Sequence, residues 1–168
     1  MDDDYVQTLL ARFKDLPRFS DGRIDFHTSK EAPVINCFVI HKEEFLLLKR
    51  SEQVSSYPGH WNFMSGYLDA PVSVESKILE ELEEELGCTK DAVASIGFGE
   101  PFDVVDNDIN RTWIVHPAFV ELRERIIPKL NWEHTDYQWV TPDQFPQFKK
   151  IEGFEETYAT IKKLLPHQ

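Results

Sequence analysis

Cysteine is scarce in this sequence, with two residues among 168. Cys37 lies inside the apolar run VINCFVI, and Cys88 follows the glycine that ends a glutamate-rich segment. We expect both to be small core residues and not a disulfide or a metal-binding pair. The sequence also lacks an apolar run near the roughly 20 residues needed to span a bilayer. Its acidic start, MDDDYVQ, is unlike a signal peptide. These absences predict a cytoplasmic protein without a membrane segment.

Basic residues are also few, since 18 Lys and Arg face 30 Asp and Glu and give a formal net charge of −12. This balance argues against a broad surface that follows the phosphates of a nucleic acid. A small phosphorylated ligand is compatible with it if divalent cations screen the carboxylates. The length and a 41% hydrophobic, 29% charged composition predict one globular domain over residues 1–168.

Short apolar runs alternate with turn signals along the chain. Helices are predicted in the N-terminal segment DDDYVQTLLARFKDL and in the tail GFEETYATIKKLL. Strands are predicted in APVINCFVI, EFLLLKR, WNFMSGYL, AVASIGF, PFDVV, TWIVHPAFVEL and DYQWV. Pro117, within the sixth of these strands, predicts an edge position or a bulge. The order predicts a mixed sheet with helices packed on it, an α/β sandwich in one domain.

The stretch ILEELEEELGC, residues 78–88, concentrates negative charge on a predicted helix. Its glutamates are Glu80, Glu81, Glu83, Glu84 and Glu85. Like charges three or four residues apart on a helix repel by roughly 0.2–0.5 kcal/mol per pair. An apolar stripe of Ile78, Leu79, Leu82 and Leu86 predicts the side that faces the sheet, and Glu81, Glu84 and Glu85 group beside it. The face is therefore either a solvated acidic surface or an oxygen-rich site for a cation such as Mg²⁺.

The spacing of these residues resembles the signature of the Nudix hydrolase family. That signature, the Nudix box, is Gly, five residues, Glu, seven residues, Arg-Glu, an aliphatic residue, any residue, Glu-Glu, any residue, Gly and an aliphatic residue. Its matching positions here are Gly66, Glu81, Leu82, Glu84, Glu85 and Gly87. The surrounding stretches INCFVIHKEEFLLLKRSE, YPGHWNFMSGYL and TDYQWVTPDQF extend the resemblance over about residues 33–146. It implies a Nudix-type α/β/α sandwich with a mixed β-sheet.

The resemblance also implies a chemistry. Family members hydrolyse a diphosphate linkage in a nucleoside diphosphate attached to another group, and they use Mg²⁺ or Mn²⁺ to neutralise phosphate oxygens and acidify the attacking water. It nominates Glu81, Glu84 and Glu85 as catalytic carboxylates and metal ligands, with Glu81 either a ligand or the general base. The carbonyl before the box glycine is a ligand in many relatives, which adds Ser65 next to Gly66.

Further residues around the box are candidates for substrate binding. Arg50 matches a position that often contacts substrate phosphate in the family, and the alternative is an ordinary surface arginine. His60, Trp61 and Phe63 flank the approach to the box, where an aromatic ring could stack on a base, although core packing is the simpler reading of Trp61 and Phe63. Some relatives take a catalytic base from a loop near Glu133, His134 and Asp136. We interpret that stretch as a polar surface loop, and Trp113 and His116 as sheet residues.

Two box positions differ from the family pattern. Val72 stands where the first glutamate is expected, and Glu80 replaces the arginine that orients the catalytic carboxylates. Asp69 or Glu75 could replace the missing first carboxylate. The leading hypothesis is an active hydrolase of a nucleotide-like substrate. The alternative is a weakly active or inactive Nudix-fold binding module for such a ligand. A purely structural acidic protein would make the box spacing a coincidence, and a homodimer rests on family habit alone.

Overall fold

The computed structural model describes residues 3–166, so residues 1–2 and 167–168 at the ends of the predicted domain lie outside the described part. The elements, in chain order, are α1 (Asp3–Ala11), β1 (Glu31–His41), β2 (Glu44–Arg50), β3 (Trp61–Asn62), β4 (Met64–Tyr67), α2 (Val74–Leu86), β5 (Val93–Phe98), β6 (Phe102–Asp106), β7 (Arg111–Leu122), β8 (His134–Val140) and α3 (Phe154–Lys162). Short 3₁₀ turns span Lys90–Ala92 and Pro142–Gln147. The predicted helices and strands are confirmed, with one strand divided in two.

All eight strands belong to one mixed sheet. β1 runs parallel to β7 and antiparallel to β2 and β4. β7 also pairs with β5 and β6, while β3 and β8 pair with β2. The predicted strand WNFMSGYL divides because β3 pairs with β2 and β4 pairs with β1, so the chain changes partner at Phe63. The predicted single-domain α/β fold with a mixed sheet is confirmed.

The position predicted for Pro117 is wrong. β7 lies inside the sheet, between β1 on one side and β5 and β6 on the other. Val115 pairs with Phe102 of β6, and Ala118 pairs with Phe98 of β5. Pro117 therefore lies where one partner strand gives way to the next, and its carbonyl accepts a 2.8 Å hydrogen bond from the Gly99 N–H. A proline is tolerated inside this sheet because the antiparallel pairing is already interrupted there.

Helix α2 has clear signals at both ends. The Ser73 hydroxyl caps the N-terminus by accepting a 3.1 Å hydrogen bond from the Ser76 N–H. Gly87 ends the helix in the left-handed conformation, with φ of 64°, and its N–H donates to the Glu83 carbonyl. The buried face carries Val74, Ile78, Leu82 and Leu86, together with Lys77, Glu81 and Glu85. Three charged side chains thus lie on the side of the helix that packs against the protein.

A second buried group, the aromatic cluster, connects the sheet to α3. It consists of Phe38, Phe45, Phe63, Phe145 and Phe154. Phe38 lies at its centre, with ring centroids 4.8 Å from Phe63 and 5.3 Å from Phe154.

Cys37 and Cys88 are buried and unpaired, as expected of core residues. None of the helices within residues 3–166 is long and apolar enough to cross a membrane.

Candidate active site

A cavity of about 330 Å³ opens beside β4 and the N-terminal half of α2. Because successive strand residues point to opposite faces, Gly66 faces α2 while Ser65 and Tyr67 face the other way. All three residues line the cavity. Of the nine residues nominated from the sequence as catalytic, metal-binding or substrate-binding, five line it, namely Arg50, Ser65, Gly66, Glu81 and Glu84, whereas Glu85 is not among the lining residues.

Gly66 and Glu81 are in close contact. A Cβ atom added to Gly66 would lie 2.5 Å from Cδ of Glu81, a separation that real side chains do not tolerate. The position therefore has to be glycine for the Glu81 carboxyl group to lie against the backbone of β4. This contact gives a physical reason for the first residue of the box.

Glu81 and Glu85 form a buried pair of carboxyl groups, 8% and 1% exposed. Burial raises the pKa of Glu81 to about 6, although Lys77 opposes the rise. Burial also raises the pKa of Glu85, and the charges of Glu81 and Glu133 raise it further. Glu85 Oε2 has no hydrogen-bond partner within the described residues. Glu84 differs from this pair, because it is exposed at the cavity edge.

The prediction of a polar surface loop at Glu133, His134 and Asp136 is wrong for two of these residues, because His134 and Asp136 lie in β8 and only Glu133 lies in the turn before it. His134 is 5% exposed, and its Nδ1 atom lies 3.9 Å from Glu85 Oε2. Burial, and to a smaller extent the charge of Arg50, lowers the pKa of His134 to about 4. Glu133 lines the cavity, where burial raises its pKa and Arg50 opposes that rise. Asp136 is exposed, as expected.

A NUDIX domain model matches residues 30–163 of the chain. The chain belongs to the Nudix family. Membership supports hydrolase chemistry on nucleoside diphosphates linked to another group. No curated protein sequence matches the chain.

Solved structures share the Nudix fold at low sequence identity. A MutT protein from Methanosarcina mazei Go1 is 19% identical and aligns with a TM-score of 0.62 over 83% of this chain and 99% of that one. An Ap4A hydrolase from C. elegans is 18% identical, with a TM-score of 0.62 over 79% and 96%. The NUDIX domain of Shewanella oneidensis NrtR, complexed with ADP ribose, is 13% identical, with a TM-score of 0.68 over 81% and 89%.

The two unusual positions of this Nudix box have a structural context that the sequence did not reveal. Lys77, which is 3% exposed, has its Nζ atom 3.1 Å from Glu81 Oε1, 3.4 Å from Glu80 Oε2 and 3.7 Å from Asp69 Oδ1. Burial alone would lower the pKa of Lys77, but the carboxylates of Glu81 and Asp69 raise it. Burial raises the pKa of Asp69, against the opposing charges of Lys77 and Arg23. Of the two suggested replacements for the first glutamate, Asp69 lines the cavity and Glu75 is exposed.

The cavity is also lined by three aromatic residues, Tyr57, Trp113 and Trp132, which the sequence did not reveal as site residues or assigned to the sheet. The Tyr57 hydroxyl donates to Asp106 Oδ2 and accepts a 3.3 Å hydrogen bond from Trp113 Nε1. Tyr57 has φ of 52°, a left-handed conformation that is uncommon outside glycine. The only sequence signal was its place before the Pro58-Gly59 turn. Trp132, 64% exposed, lines the same cavity.

Three nominated substrate-binding residues are not among the lining residues of the cavity. Phe63 is fully buried in the aromatic cluster and stacks on Phe154 at 5.4 Å between centroids. Trp61 packs edge-on against Phe148 at 5.0 Å. His60 lies outside the lining, with its ring 5.9 Å from that of Tyr57. The core-packing alternative describes the positions of Trp61 and Phe63.

The donor set suits a hard divalent cation, although the site is not assembled in advance. Within residues 3–166, no three His, Cys, Asp or Glu side chains are close enough together to hold a metal ion as they stand. The orphaned Glu85 oxygen and the adjacent Glu81 carboxyl nevertheless form a buried acidic pair that a cation would neutralise. Carboxylate and carbonyl oxygens are the ligands that Mg²⁺ and Mn²⁺ prefer.

Proposed function

We propose that the protein is a Mg²⁺- or Mn²⁺-dependent hydrolase that cleaves the diphosphate linkage of a nucleoside diphosphate joined to another group. The observation that carries this proposal is the buried pair of Glu81 and Glu85, of which Glu81 lies against Gly66 and lines the cavity of about 330 Å³. Burying two acidic groups together costs stability unless a cation or a proton compensates them. Perturbed carboxyl groups beside a cavity are typical of catalytic sites.

The residues that would hold the cation are Glu81, Glu84, Glu85 and the backbone around Ser65 and Gly66. When bound, the cation would neutralise phosphate oxygens and acidify a water molecule. Glu81 or Glu133 would accept the proton of that water, since both line the cavity and burial raises the pKa of each. Arg50, which also lines the cavity, would bind a phosphate oxygen.

The aromatic residues that line the cavity would hold the base of a nucleotide. Tyr57 and Trp113 are among them, and the exposed indole of Trp132 is available to stack on a planar ring. Two of the structural neighbours are an Ap4A hydrolase and a domain complexed with ADP ribose, and both compounds are nucleotide derivatives of this class. A cytoplasmic location and a homodimer stay predictions.

A Nudix-fold binding module without useful catalysis is the second candidate function. Val72 and Glu80 favour it, because the family's glutamate and arginine are missing at these positions. The two proposals differ in what happens to a bound ligand: a binding module would take up metal and nucleotide without releasing product.

The test is product release from nucleoside triphosphates, nucleotide sugars and dinucleoside polyphosphates with Mg²⁺ or Mn²⁺. Glu85→Gln should lower the rate by about a hundredfold or more, because even residues that only support metal ligands typically contribute 10–100-fold. Glu83→Gln, an exposed glutamate on the same helix, is the matched control and should retain the wild-type rate. Circular dichroism would confirm that both variants fold.

Equal rates in Glu85→Gln and wild type would contradict the proposed role of the buried pair. A wild-type protein that releases no product from any compound, but still binds Mn²⁺ and a nucleotide in calorimetry, would support the binding module.

A further inference from the structure

We propose that Lys77, anchored by Asp69, is the positioning residue for Glu81 and replaces the arginine missing from position 80. The inference rests on the proposed function only in assigning Glu81 a place in the metal site. The contacts that support it join three parts of the chain: Arg23, the segment from Gly66 to Asp69, and helix α2.

Lys77 is an unusual lysine because its ammonium group is almost completely buried. Its Nζ atom lies 3.1 Å from Glu81 Oε1 and 3.7 Å from Asp69 Oδ1. Lysines are rarely buried to this degree unless they are paired. The side chain therefore lies between an acid on its own helix and an acid from the preceding loop. A solvated surface salt bridge would leave the ammonium free to move, and this one is enclosed.

The pairing holds Glu81 on both sides. Its Oε1 atom contacts Lys77, and its Cδ lies against the backbone of Gly66 so closely that a Cβ there would collide with it. Asp69 is itself held by Arg23, whose Nη1 atom lies 3.5 Å from Asp69 Oδ2. The chain of contacts thus runs from Arg23 through Asp69 and Lys77 to Glu81.

These contacts account for both unusual box positions together. The family's glutamate is missing at position 72, and Asp69 supplies a carboxylate three residues earlier. The family's arginine is missing at position 80, and Lys77 supplies a cation three residues earlier. Residues four apart on a helix are neighbours, so Lys77 reaches Glu81 from the preceding turn. Glu80 is exposed and extends towards Lys77, with 3.4 Å between the charged atoms. Val72 and Glu80 therefore do not leave Glu81 without a cationic partner.

Lys77→Met tests the inference through Mn²⁺ binding, measured by calorimetry without substrate. If Lys77 only adds positive charge, its removal should tighten Mn²⁺ binding, because a repulsive charge is lost and Asp69 remains. If Lys77 positions Glu81, its removal should weaken binding by about tenfold, as loss of residues that support metal ligands typically does. The direction of the change in Mn²⁺ affinity distinguishes the two roles of Lys77. Binding that is tighter than in wild type, or unchanged, overturns the inference. Lys77→Gln is measured in parallel in case the methionine variant does not fold.

A second-site substitution gives an independent readout. Glu80→Arg in the Lys77→Met background should restore most of the lost Mn²⁺ affinity by returning a cation to the family position. Glu80→Arg alone should change it less than about threefold, since Lys77 already holds Glu81. No recovery in the double variant would overturn the inference.

The same proteins separate this inference from the proposed function. A wild-type protein that hydrolyses nothing, while its Mn²⁺ affinity follows the expected pattern, would refute the function and support the role of Lys77. If the wild-type protein hydrolyses a substrate and Lys77→Met retains both the wild-type activity and the wild-type Mn²⁺ affinity, the inference about Lys77 is overturned and the proposed function is not.

Discussion

Two groups of buried side chains in this protein have nearly the same exposure and opposite chemistry. The aromatic cluster is centred on Phe38, which is 0% exposed. The second group, the carboxyl cluster, consists of Asp69, Lys77, Glu81, Glu85 and His134, which are between 1% and 8% exposed. Burial of the aromatic rings stabilises the fold, at about 25 cal/mol per Å² of apolar surface. Burial of the ionisable groups costs desolvation energy that their pairing only partly returns.

The comparison separates what holds the fold together from what the proposed function requires. The rings of the aromatic cluster pack against each other and need no hydrogen-bond partners. The carboxyl cluster, in contrast, contains polar atoms without hydrogen-bond partners among the described residues, including Glu85 Oε2 and both ring nitrogens of His134. A region that costs stability and retains unsatisfied groups is one where a ligand can supply the missing interactions. Substitutions in the two clusters should therefore have opposite effects on stability and on metal binding.

The largest effect on stability is expected for Phe38→Ala. Removal of this ring from contact with Phe63 and Phe154 should lower the free energy of unfolding by about 3–5 kcal/mol, because a cavity remains in a closely packed region. Urea denaturation would measure the loss, with Phe38→Leu as a control that retains most of the volume. Mn²⁺ affinity of the folded protein should be unchanged, and a clear change would break the separation of the two clusters.

Glu85→Gln should have the opposite effect and stabilise the metal-free protein near pH 7, by about 1 kcal/mol or more. A carboxyl pKa raised on folding adds no cost below its ordinary value of 4.5 and the full cost above the folded pKa. Burial, together with the charges of Glu81 and Glu133, raises the pKa of Glu85 well above that ordinary value, so its ionised form costs stability near pH 7 and the neutral amide of glutamine removes that cost.

The pH dependence of this stabilisation sharpens the test. The difference between Glu85→Gln and wild type should be small at pH 4.5 and should grow up to pH 8. His134, with its pKa lowered to about 4, makes folding more favourable as pH rises from 4 to 6.5, but it is present in both proteins. Denaturation series at several pH values in EDTA would measure the difference. If Glu85→Gln is less stable than wild type, or if the difference in stability does not depend on pH, the buried carboxyl pair does not destabilise the metal-free protein.

The sequence predicted the strands and the main carboxylates of the site better than the residues that contact those carboxylates. Apolar periodicity identified the strands, and the box spacing found Glu81, Glu85 and Gly66, because these signals are local. Nothing in the sequence singles out Lys77, since its contacts involve Asp69 from the preceding loop, which in turn contacts Arg23 near the N-terminus.

His134 is a second residue whose burial beside Glu85 the sequence alone does not predict. The register of β8 against β2 shifts between Lys49 and Arg50, and His134 pairs with Arg50 beyond that irregularity. Polarity alone predicts a surface loop for this stretch, whereas the shifted register brings the imidazole beneath Glu85. Contacts between distant segments, set by register, are what a single sequence does not display.

The smallest stability effect is expected for Glu84→Gln, and it refines the comparison most. Both Glu84 and Glu83 are exposed on α2, so replacing either should change the free energy of unfolding by less than about 0.5 kcal/mol. Only Glu84 lines the cavity, and Glu84→Gln should weaken Mn²⁺ binding by about tenfold while Glu83→Gln leaves it unchanged. Electron paramagnetic resonance of free Mn²⁺ would compare the two. Equal affinities would limit the metal site to the buried pair and its backbone neighbours, whereas a loss in Glu84→Gln alone would show that the site extends to a residue on which the fold does not depend.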